Sequence, residues 1–204
     1  MTSRGKFITF EGIDGAGKST QIDALESFLK QSGIRVVRTR EPGGTPLGEK
    51  IRDLLLSDSM HPMTETLLFF ASRVEHIAQV IEPALACGAW VLSDRFTDAT
   101  YAYQVGGKNV NPAEVEAIES LVHGHLQPDR TVLFDIAPAI AAKRLSLARS
   151  VDRFERESQE FFTAVRHAYL DRAQRHPQRF FILNADRDPE SITADLLAEA
   201  VTWL

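Results

Sequence analysis

A glycine-rich segment near the amino terminus has the residue types and spacing that bind phosphate. The stretch "GIDGAGKS", Gly12 to Ser19, matches G-x-x-x-x-G-K-[ST] and lies between an apolar run and a helical pattern. Its glycines let backbone N–H groups surround phosphates, and the helix that follows adds its dipole. Lys18 is expected to reach the β- and γ-phosphates, and the Ser19 hydroxyl is expected to ligate Mg²⁺. The segment therefore predicts a site for ATP or GTP. The residues assigned to it are Gly12, Ile13, Asp14, Gly15, Ala16, Gly17, Lys18, Ser19 and Thr20.

A second rigid, glycine-rich corner follows the next apolar run. It reads "RTREPGGTPLGEKIR", with two prolines that stiffen the chain and glycines that permit close backbone approach. Because the corner follows a predicted parallel strand, it lies at the sheet edge where α/β proteins bind ligands. An anionic, hydroxylated acceptor would suit its side chains, although a rigid turn that caps a helix is the alternative. The residues expected to contact the acceptor are Arg40, Glu41, Pro42 and Arg52.

The third apolar run ends in a pair of charged residues at the same predicted edge. In "VLSDRFTDATYAYQ", Asp94 can hold the Mg²⁺ shell and Arg95 can bind an acceptor phosphate with its guanidinium fork. A structural ion pair between the two residues is the alternative. Two phosphate-binding sites on one sheet edge indicate a small-molecule kinase, and the guanine-reading string N-K-x-D is absent.

The elements that must position these residues alternate between strand-like runs and helical periodicity. This alternation predicts an α/β, three-layer P-loop NTPase fold with about five parallel strands flanked by helices. The predicted strands cover residues 6–11, 34–39, 89–93, 130–136 and 180–184. The predicted helices cover 17–32, 47–56, 64–86, a segment that begins at 112, a basic stretch over 138–175 and a closing helix from 188. In the helix over 64–86, which Pro83 is expected to kink or end, the apolar stripe consists of Leu67, Phe70, Val74, Ile77 and Ile81. We expect one domain over residues 1–204.

Composition excludes several classes of protein. A formal net charge of −5 over 204 residues argues against nonspecific binding of nucleic acid. The single cysteine, Cys87, permits no internal disulfide and is expected to be a small packed hydrophobic residue. No apolar stretch approaches the roughly 20 residues of a membrane span, so we expect a soluble cytoplasmic protein without a membrane partner. His123 and His125 are expected to form a turn at a helix end, not a metal site.

Four segments carry a resemblance to a known family. In order, "FEGIDGAGKST", "TREPGGTPLGEKIR", "LLFFASRVEH" and "VLSDRFTDATYAYQ" resemble the thymidylate kinases of bacterial type, over nearly the whole chain. The P-loop alone is generic, but the EPGG segment joined to DRF-x-x-x-x-x-A-Y-Q is highly specific. The resemblance implies a nucleoside monophosphate kinase that phosphorylates dTMP to dTDP in dTTP biosynthesis, with ATP, Mg²⁺ and a homodimer.

The resemblance also assigns roles within the acceptor site. Phe69 would stack on the thymine ring, and Arg73, four residues later on the same helix face, would bind the base edge. The alternative, a side chain that fills the hydrophobic core, suits Phe70 better than Phe69, because Phe70 belongs to the apolar stripe. Thr100 would contact the base, and Tyr103 and Gln104 would border the base and sugar. Asp14 would address the deoxyribose 3′-hydroxyl, and Arg95, with Arg40 and Arg52, would face the monophosphate.

The family also needs positive charge on the transferred phosphoryl group. Some members place that arginine inside the P-loop, where this chain has Gly15. The alternative arrangement is a mobile lid, which we expect at about residues 144–157 in "KRLSLARSVDRFERE". Arg149 and Arg153 would close over the ATP phosphates, with Arg144 beside them. The same run is also acidic, so a solvated helix of mixed charge is the alternative. The residues assigned to catalysis are Asp14, Lys18, Asp94, Arg95, Arg149 and Arg153.

Two other functions fit the sequence less well. One is a kinase for another pyrimidine nucleotide or a nucleoside, since the base-contacting residues suit any pyrimidine. The other is a nucleotide-binding regulatory module, which would have no use for the second glycine-rich corner.

Overall fold

The central layer of the protein is a five-stranded parallel sheet. The computed structural model describes residues 4–146, 154 and 157–204. The strands are β1 (Phe7–Glu11), β2 (Val36–Arg40), β3 (Trp90–Asp94), β4 (Arg130–Asp135) and β5 (Phe180–Asn184). Their order across the sheet is β2-β3-β1-β4-β5, and every neighbouring pair is parallel. The predicted fold class is confirmed.

Helices cover both faces of this sheet. They are α1 (Lys18–Gln31), α2 (Pro46–Ser57), α3 (Pro62–His76), α4 (Glu82–Ala86), α5 (Thr97–Thr100), α6 (Pro112–His123), α7 (Pro138–Ser146), α8 (Gln159–Arg175) and α9 (Pro189–Val201). Because the middle strands are covered on both faces, they appear in the sequence as continuous apolar runs; all five residues of β1 are buried. Because β2, β3 and β1 are parallel, their carboxyl ends lie at one edge of the sheet, and the polar residues that follow these strands lie at that edge too.

Side-chain caps set the start of several helices. The Thr45 hydroxyl accepts a hydrogen bond from the Gly48 amide at 3.0 Å, and Asn111 accepts one from Ala113 at 3.0 Å. In both helices a proline follows the cap, and its fixed φ suits the first helical position. The predicted cap and helix start at residues 111 and 112 are confirmed.

The long helix expected over 64–86 is interrupted. After α3, residues Ile77–Ile81 form a π-helical turn, and α4 then carries the chain to β3. Pro83 has no amide hydrogen, so an unbroken α-helical bonding pattern cannot pass through it. A second π-helical segment, Tyr101–Gly107, continues from α5 and carries two of the predicted base-contacting residues. The basic stretch over 138–175 is likewise divided, since α7 and α8 are separate helices.

The predicted apolar stripe of α3 is partly wrong. Phe70, Ile77 and Ile81 are buried, but Leu67 and Val74 are 51% and 45% exposed. The buried face of α3 is instead rich in polar side chains: Glu65, Thr66, Ser72, Arg73 and His76. This face covers a polar site, so burial on α3 does not follow hydrophobicity.

Cys87 is exposed, which contradicts the expectation of a packed side chain. It ends α4 in a turn with Gly88, whose φ is +75°, and such turns lie at the surface. The expected helix-end turn around the two histidines is confirmed. His123 is the buried last residue of α6 and bonds Thr97 at 2.7 Å, whereas His125 is exposed beside Glu82.

Within the described residues, no three His, Cys, Asp or Glu side chains are arranged to hold a metal ion. None of the described helices is long and apolar enough to cross a bilayer.

Candidate active site

Two adjoining cavities lie at the carboxyl edge of the sheet. The first, of about 630 Å³, is lined by the P-loop, by Asp94 and by Arg144 and Arg187. The second is lined by side chains of α3 and of the second π-helical segment. The residues shared by both cavities are Asp14, Glu41, Arg52 and Arg95. The sheet edge thus holds two sites that meet at a charged boundary.

The P-loop wraps the amino end of α1. Gly15 and Gly17 have φ of +83° and +87°, a region that favours glycine, and a Cβ on Gly15 would lie 2.5 Å from the Ala141 carbonyl oxygen of α7. Lys18 is buried, and its Nζ donates to the Gly12 and Ile13 carbonyls at 3.0 and 3.1 Å. Burial, reinforced by the nearby charge of Arg95, lowers the pKa of Lys18. Residues 14–20 all line the first cavity.

Arg95 stands at the boundary between the cavities. Its backbone φ is +72°, a conformation that non-glycine residues rarely adopt. Its Nη2 donates to both Asp14 carboxylate oxygens at 2.9 Å and to the Tyr103 hydroxyl at 3.1 Å, and its Nη1 donates to the Tyr169 hydroxyl at 3.1 Å. Burial opposes its charge, but Asp14, Tyr103, Tyr169 and Asp94 together outweigh burial and raise the pKa of Arg95. The ion pair is thus with Asp14, not with Asp94 as the structural alternative required.

Asp94 has a buried, unpartnered oxygen. Its Oδ1 receives no hydrogen bond from the residues that the structure describes. A buried carboxylate oxygen without a partner is costly, so this atom is suited to a cation or a donor brought by a ligand.

Glu11 is a buried acid beneath this site that the sequence analysis missed. Its Oε1 accepts from the Phe96 amide at 2.7 Å, and its Oε2 accepts from the Tyr169 hydroxyl at 2.8 Å. Burial, with the neighbouring charge of Asp98, raises the pKa of Glu11 to about 8. Glu11 therefore supports Arg95 through two neighbours. One is the backbone amide of Phe96, the residue after Arg95, and the other is the Tyr169 hydroxyl, which Arg95 contacts. The available signal was a charged residue at the end of an apolar strand.

The second cavity is walled by α3. Phe69 is half-buried, with its ring centroid 6.1 Å from that of Phe154. Arg73 is 1% exposed; its Nε donates to Glu41 at 2.7 Å and its Nη2 donates to Thr100 Oγ1 at 3.2 Å. Its Nη1 is buried without a partner among the described residues. Two lining residues therefore offer groups that a ligand could use: the aromatic face of Phe69 and the Nη1 donor of Arg73, which has no acceptor among the described residues.

Glu41 is a buried acid of this site. Its two oxygens contact Arg73 Nε at 2.7 Å and His76 Nδ1 at 2.9 Å, and His76 Nε2 lies 2.6 Å from Thr39 Oγ1. Burial opposes the charge of Glu41, but Arg73 and His76 together outweigh burial and lower the pKa of Glu41. Glu41 therefore contacts Arg73 and His76 and also lines both cavities, so its predicted contact with the acceptor stays a prediction. His76 was also not predicted from the sequence as part of this site.

Two of the arginines expected at the monophosphate differ in placement. Arg52 lines both cavities, and its Nη1 donates to the Pro42 carbonyl at 3.1 Å. Arg40 lines only the first cavity and is paired with Glu49 at 2.7 Å on the surface.

The lid prediction falls largely outside the described residues. Arg149 and Arg153 lie in the part of the chain that the structure does not describe. Arg144, near the end of α7, lines the first cavity and donates to the Ala185 carbonyl at 2.9 Å.

A further buried acid lies behind the second cavity. Gln104 Nε2 donates to Glu65 Oε1 at 2.9 Å, and Lys108 Nζ lies 2.8 Å from Glu65 Oε2. Glu65 is fully buried. Gln104 was predicted from the sequence, but Glu65 and Lys108 were not, because the residues that contact each other here are about forty positions apart in the chain.

Comparison with known proteins gives a consistent result. The model of the family described as "Thymidylate kinase" matches residues 10–196. A thymidylate kinase of Methylobacillus flagellatus is 58% identical over 194 residues, which are 95% of this chain and 96% of that protein. One of Ralstonia pickettii is 57% identical over 196 residues, covering 94% and 96%. The solved thymidylate kinase of Ehrlichia chaffeensis has a TM-score of 0.79 at 32% identity and covers 97% of this chain and 99% of its own.

Proposed function

The chain belongs to the thymidylate kinase family and phosphorylates dTMP to dTDP, and we propose that ATP with Mg²⁺ is the donor and that Arg95 aligns the two nucleotides. This reaction is a step of dTTP biosynthesis. Phosphoryl transfer depends on alignment and on neutralisation of charge, and the acceptor phosphate needs no strong base because it is already ionised near neutral pH.

One observation supports this arrangement above the others: the two cavities share a wall that contains a fixed guanidinium. Arg95 is oriented by Asp14, Tyr103 and Tyr169, so its position does not depend on the ligand. A donor in the P-loop cavity and an acceptor in the second cavity would bring their phosphates together at this wall. Arg95 would bind the acceptor phosphate there, with Arg52 beside it.

The P-loop side chains fit the donor. On binding of ATP, the Lys18 ammonium would exchange the Gly12 and Ile13 carbonyls for phosphate oxygens. Ser19 and Asp94 line the same cavity, and the Ser19 hydroxyl and the Asp94 carboxylate would hold Mg²⁺ or its water shell. Mg²⁺ supplies positive charge to the phosphate oxygens in reactions of this class.

The second cavity fits a thymidine monophosphate. Phe69 offers a stacking face, and the free Nη1 of Arg73 would donate to a carbonyl on the base edge. Thr100 holds the Arg73 guanidinium beside the base. Asp14 would address the 3′-hydroxyl of the deoxyribose, since it lines both cavities.

We further propose a homodimer in the cytoplasm. Exposed apolar side chains occur on α2, α3 and α6, and α3 packs against both of the other helices. These side chains are Leu47, Leu54, Leu67, Val74 and Leu121. Apolar residues gathered on adjacent helices are typical of an interface between subunits. The single cysteine suits a reducing compartment.

A coupled assay tests the function. Purified protein with ATP and Mg²⁺ should convert dTMP to dTDP, with a higher kcat/KM than for dUMP, dCMP or thymidine. Lys18→Met should abolish turnover while dTMP still raises the melting temperature. If ATP binds but no monophosphate is phosphorylated or changes the melting temperature, the chain is a regulatory nucleotide-binding module.

A further inference from the structure

We propose that Glu65 is a positioning residue that fixes the Gln104 carboxamide with its carbonyl oxygen toward the base, and thereby selects thymine and uracil over cytosine. The inference rests on the proposed function, because it assigns a base to the second cavity. Glu65 itself does not line that cavity and is fully buried behind it.

The orientation of Gln104 follows from the chemistry of its partner. An ionised carboxylate only accepts hydrogen bonds, so the atom of Gln104 that lies 2.9 Å from Glu65 Oε1 must be the NH₂ nitrogen. The opposite flip would press two acceptor oxygens together, with both side chains almost completely buried. Losing one buried hydrogen bond commonly changes an equilibrium by about tenfold to a hundredfold. Glu65 therefore holds the amide in one of its two flips.

Lys108 forms an ion pair with Glu65. Its ammonium lies 2.8 Å from Glu65 Oε2, so the second oxygen also faces a donor and the buried negative charge has a counterion. Lys108 also lies 4.9 Å over the Phe154 ring, which lines the base cavity. Glu65 is thus buried between Gln104, which lines the cavity, and the partly exposed Lys108.

The cavity then presents two complementary groups to a base. Arg73 offers the unpartnered Nη1 donor, and Gln104 offers a carbonyl acceptor, since its nitrogen is turned toward Glu65. Thymine and uracil carry an acceptor, O4, next to a donor, N3–H. Cytosine carries the reverse, a donor amine next to the N3 acceptor, so both contacts would fail. A site built to satisfy one hydrogen-bond pattern rejects the opposite pattern strongly.

Glu65→Gln tests the inference because it keeps the shape of the side chain and removes the restriction on the flip of the Gln104 carboxamide. An amide at position 65 can donate as well as accept, so the Gln104 carboxamide would be free to turn over. The ratio of kcat/KM for dTMP to that for dCMP should fall about tenfold or more, through a higher KM for dTMP and a lower KM for dCMP. The kcat with dTMP should stay within about threefold, because the phosphate contacts are unchanged. Glu116→Gln, an exposed change on α6, is the matched control and should leave the ratio unchanged.

The exchange E65Q/Q104E separates this role from a purely structural one. In it, the amide at position 65 donates to the carboxylate at position 104, whose other oxygen again offers an acceptor to the base. The double exchange should recover most of the dTMP preference, whereas Q104E alone places two carboxylates side by side and should not. A merely structural Glu65 would instead lower the melting temperature and affect all substrates equally.

A measurement on the unchanged protein covers the case in which the variants fail to fold. N3-methyl-dTMP lacks the N3–H donor, and it should bind at least about tenfold more weakly than dTMP. Equal binding of the two, or full discrimination in a folded Glu65→Gln variant, would overturn the inference. Failure of the unchanged protein to phosphorylate dTMP at all would overturn the proposed function instead.

Discussion

At the scale of single residues, Arg95 has an energetically unfavourable conformation in this site. Its positive φ and its burial are both unfavourable, and four hydrogen bonds to Asp14, Tyr103 and Tyr169 offset them. Such a conformation persists only when its surroundings hold it in place, which suits a group that must meet a phosphate without moving. The strained backbone therefore fits the proposed role of Arg95 in binding a phosphate.

Replacing Arg95 with Ala should lower kcat/KM for dTMP by about 10³-fold, since arginines that neutralise phosphate charge have effects of this size. Dissociation constants from calorimetry should show weaker dTMP binding and nearly unchanged ATP binding. Arg38→Ala is the control, because Arg38 forms exposed pairs with Asp23 and Glu26 outside both cavities. A loss of less than tenfold in R95A would contradict the assigned role.

Glu11 should make stability depend on pH. Burial and the Asp98 charge raise its pKa from 4.5 to about 8, against the opposing effect of Arg95. The folded chain thus keeps this proton to higher pH than the unfolded chain, so the stability that it contributes is complete below about pH 4.5 and is lost as the pH rises to about 8. Glu11→Gln, which cannot ionise, should remove this decline at about 1.4 kcal/mol per unit of pKa difference. The free energy of unfolding in urea, measured at several pH values between about 5 and 8, gives the size of this decline. Parallel plots of that free energy against pH for the two proteins would refute the prediction.

The residues that line the second cavity were predicted better than the residues that support them. The family resemblance indicated Phe69, Arg73, Thr100, Tyr103 and Gln104, and all five line that cavity. Glu11, His76 and Glu65 were missed. Each acts through a partner that is distant along the chain, and only the folded structure brings the two together.

At the scale of elements, the P-loop and α7 are fitted to each other at Gly15. Gly15→Ala would meet both a positive φ and the Ala141 carbonyl oxygen at 2.5 Å, whereas Gly17→Ala would meet only the positive φ, since nothing lies within 4 Å of its Cβ. We expect a loss of about 1–2 kcal/mol for G17A, the usual penalty for a left-handed residue, and a distinctly larger loss for G15A. Chemical denaturation of both variants measures the difference. Equal losses would mean that α7 moves aside without cost.

The lid belongs to the same scale. Because an arginine at position 15 would collide with α7, positive charge for the transferred group should come from elsewhere, and Arg149 and Arg153 follow α7 directly in the sequence. Replacing either with Ala should lower kcat by about 10³-fold while the dissociation constant of dTMP changes little. Single-turnover kinetics separates the chemical step from binding. Normal turnover in both variants would exclude this lid assignment.

Strand positions were predicted to within about two residues, because buried parallel strands leave a strong apolar signal. The two π-helical segments were not predicted, since no periodicity distinguishes them from α-helix over so few residues. The second one matters to the site, since it carries Tyr103 and Gln104 to the cavity wall.

At the scale of the whole molecule, α3 connects the site to the surface. One face carries Phe69 and Arg73 to the base cavity, and the opposite face exposes Leu67 and Val74. The predicted apolar stripe is therefore core at Phe70, Ile77 and Ile81 but surface at Leu67 and Val74. Periodicity shows that a helix face is apolar, but it does not show whether this chain or another copy covers that face.

Leu67→Asp should convert the proposed dimer into a monomer, because a carboxylate would be desolvated in the middle of the apolar face. Light scattering after size-exclusion chromatography should give twice the mass of one chain for the unchanged protein and a single chain mass for the variant. Val201→Asp, an exposed apolar position at the end of α9, is the control and should remain dimeric. Because the same helix orients Arg73, the monomer should also have a severalfold higher KM for dTMP with little change in the ATP site. A monomeric unchanged protein would refute the dimer, and a monomeric variant with unchanged KM would show that the base cavity of each subunit is held without its partner.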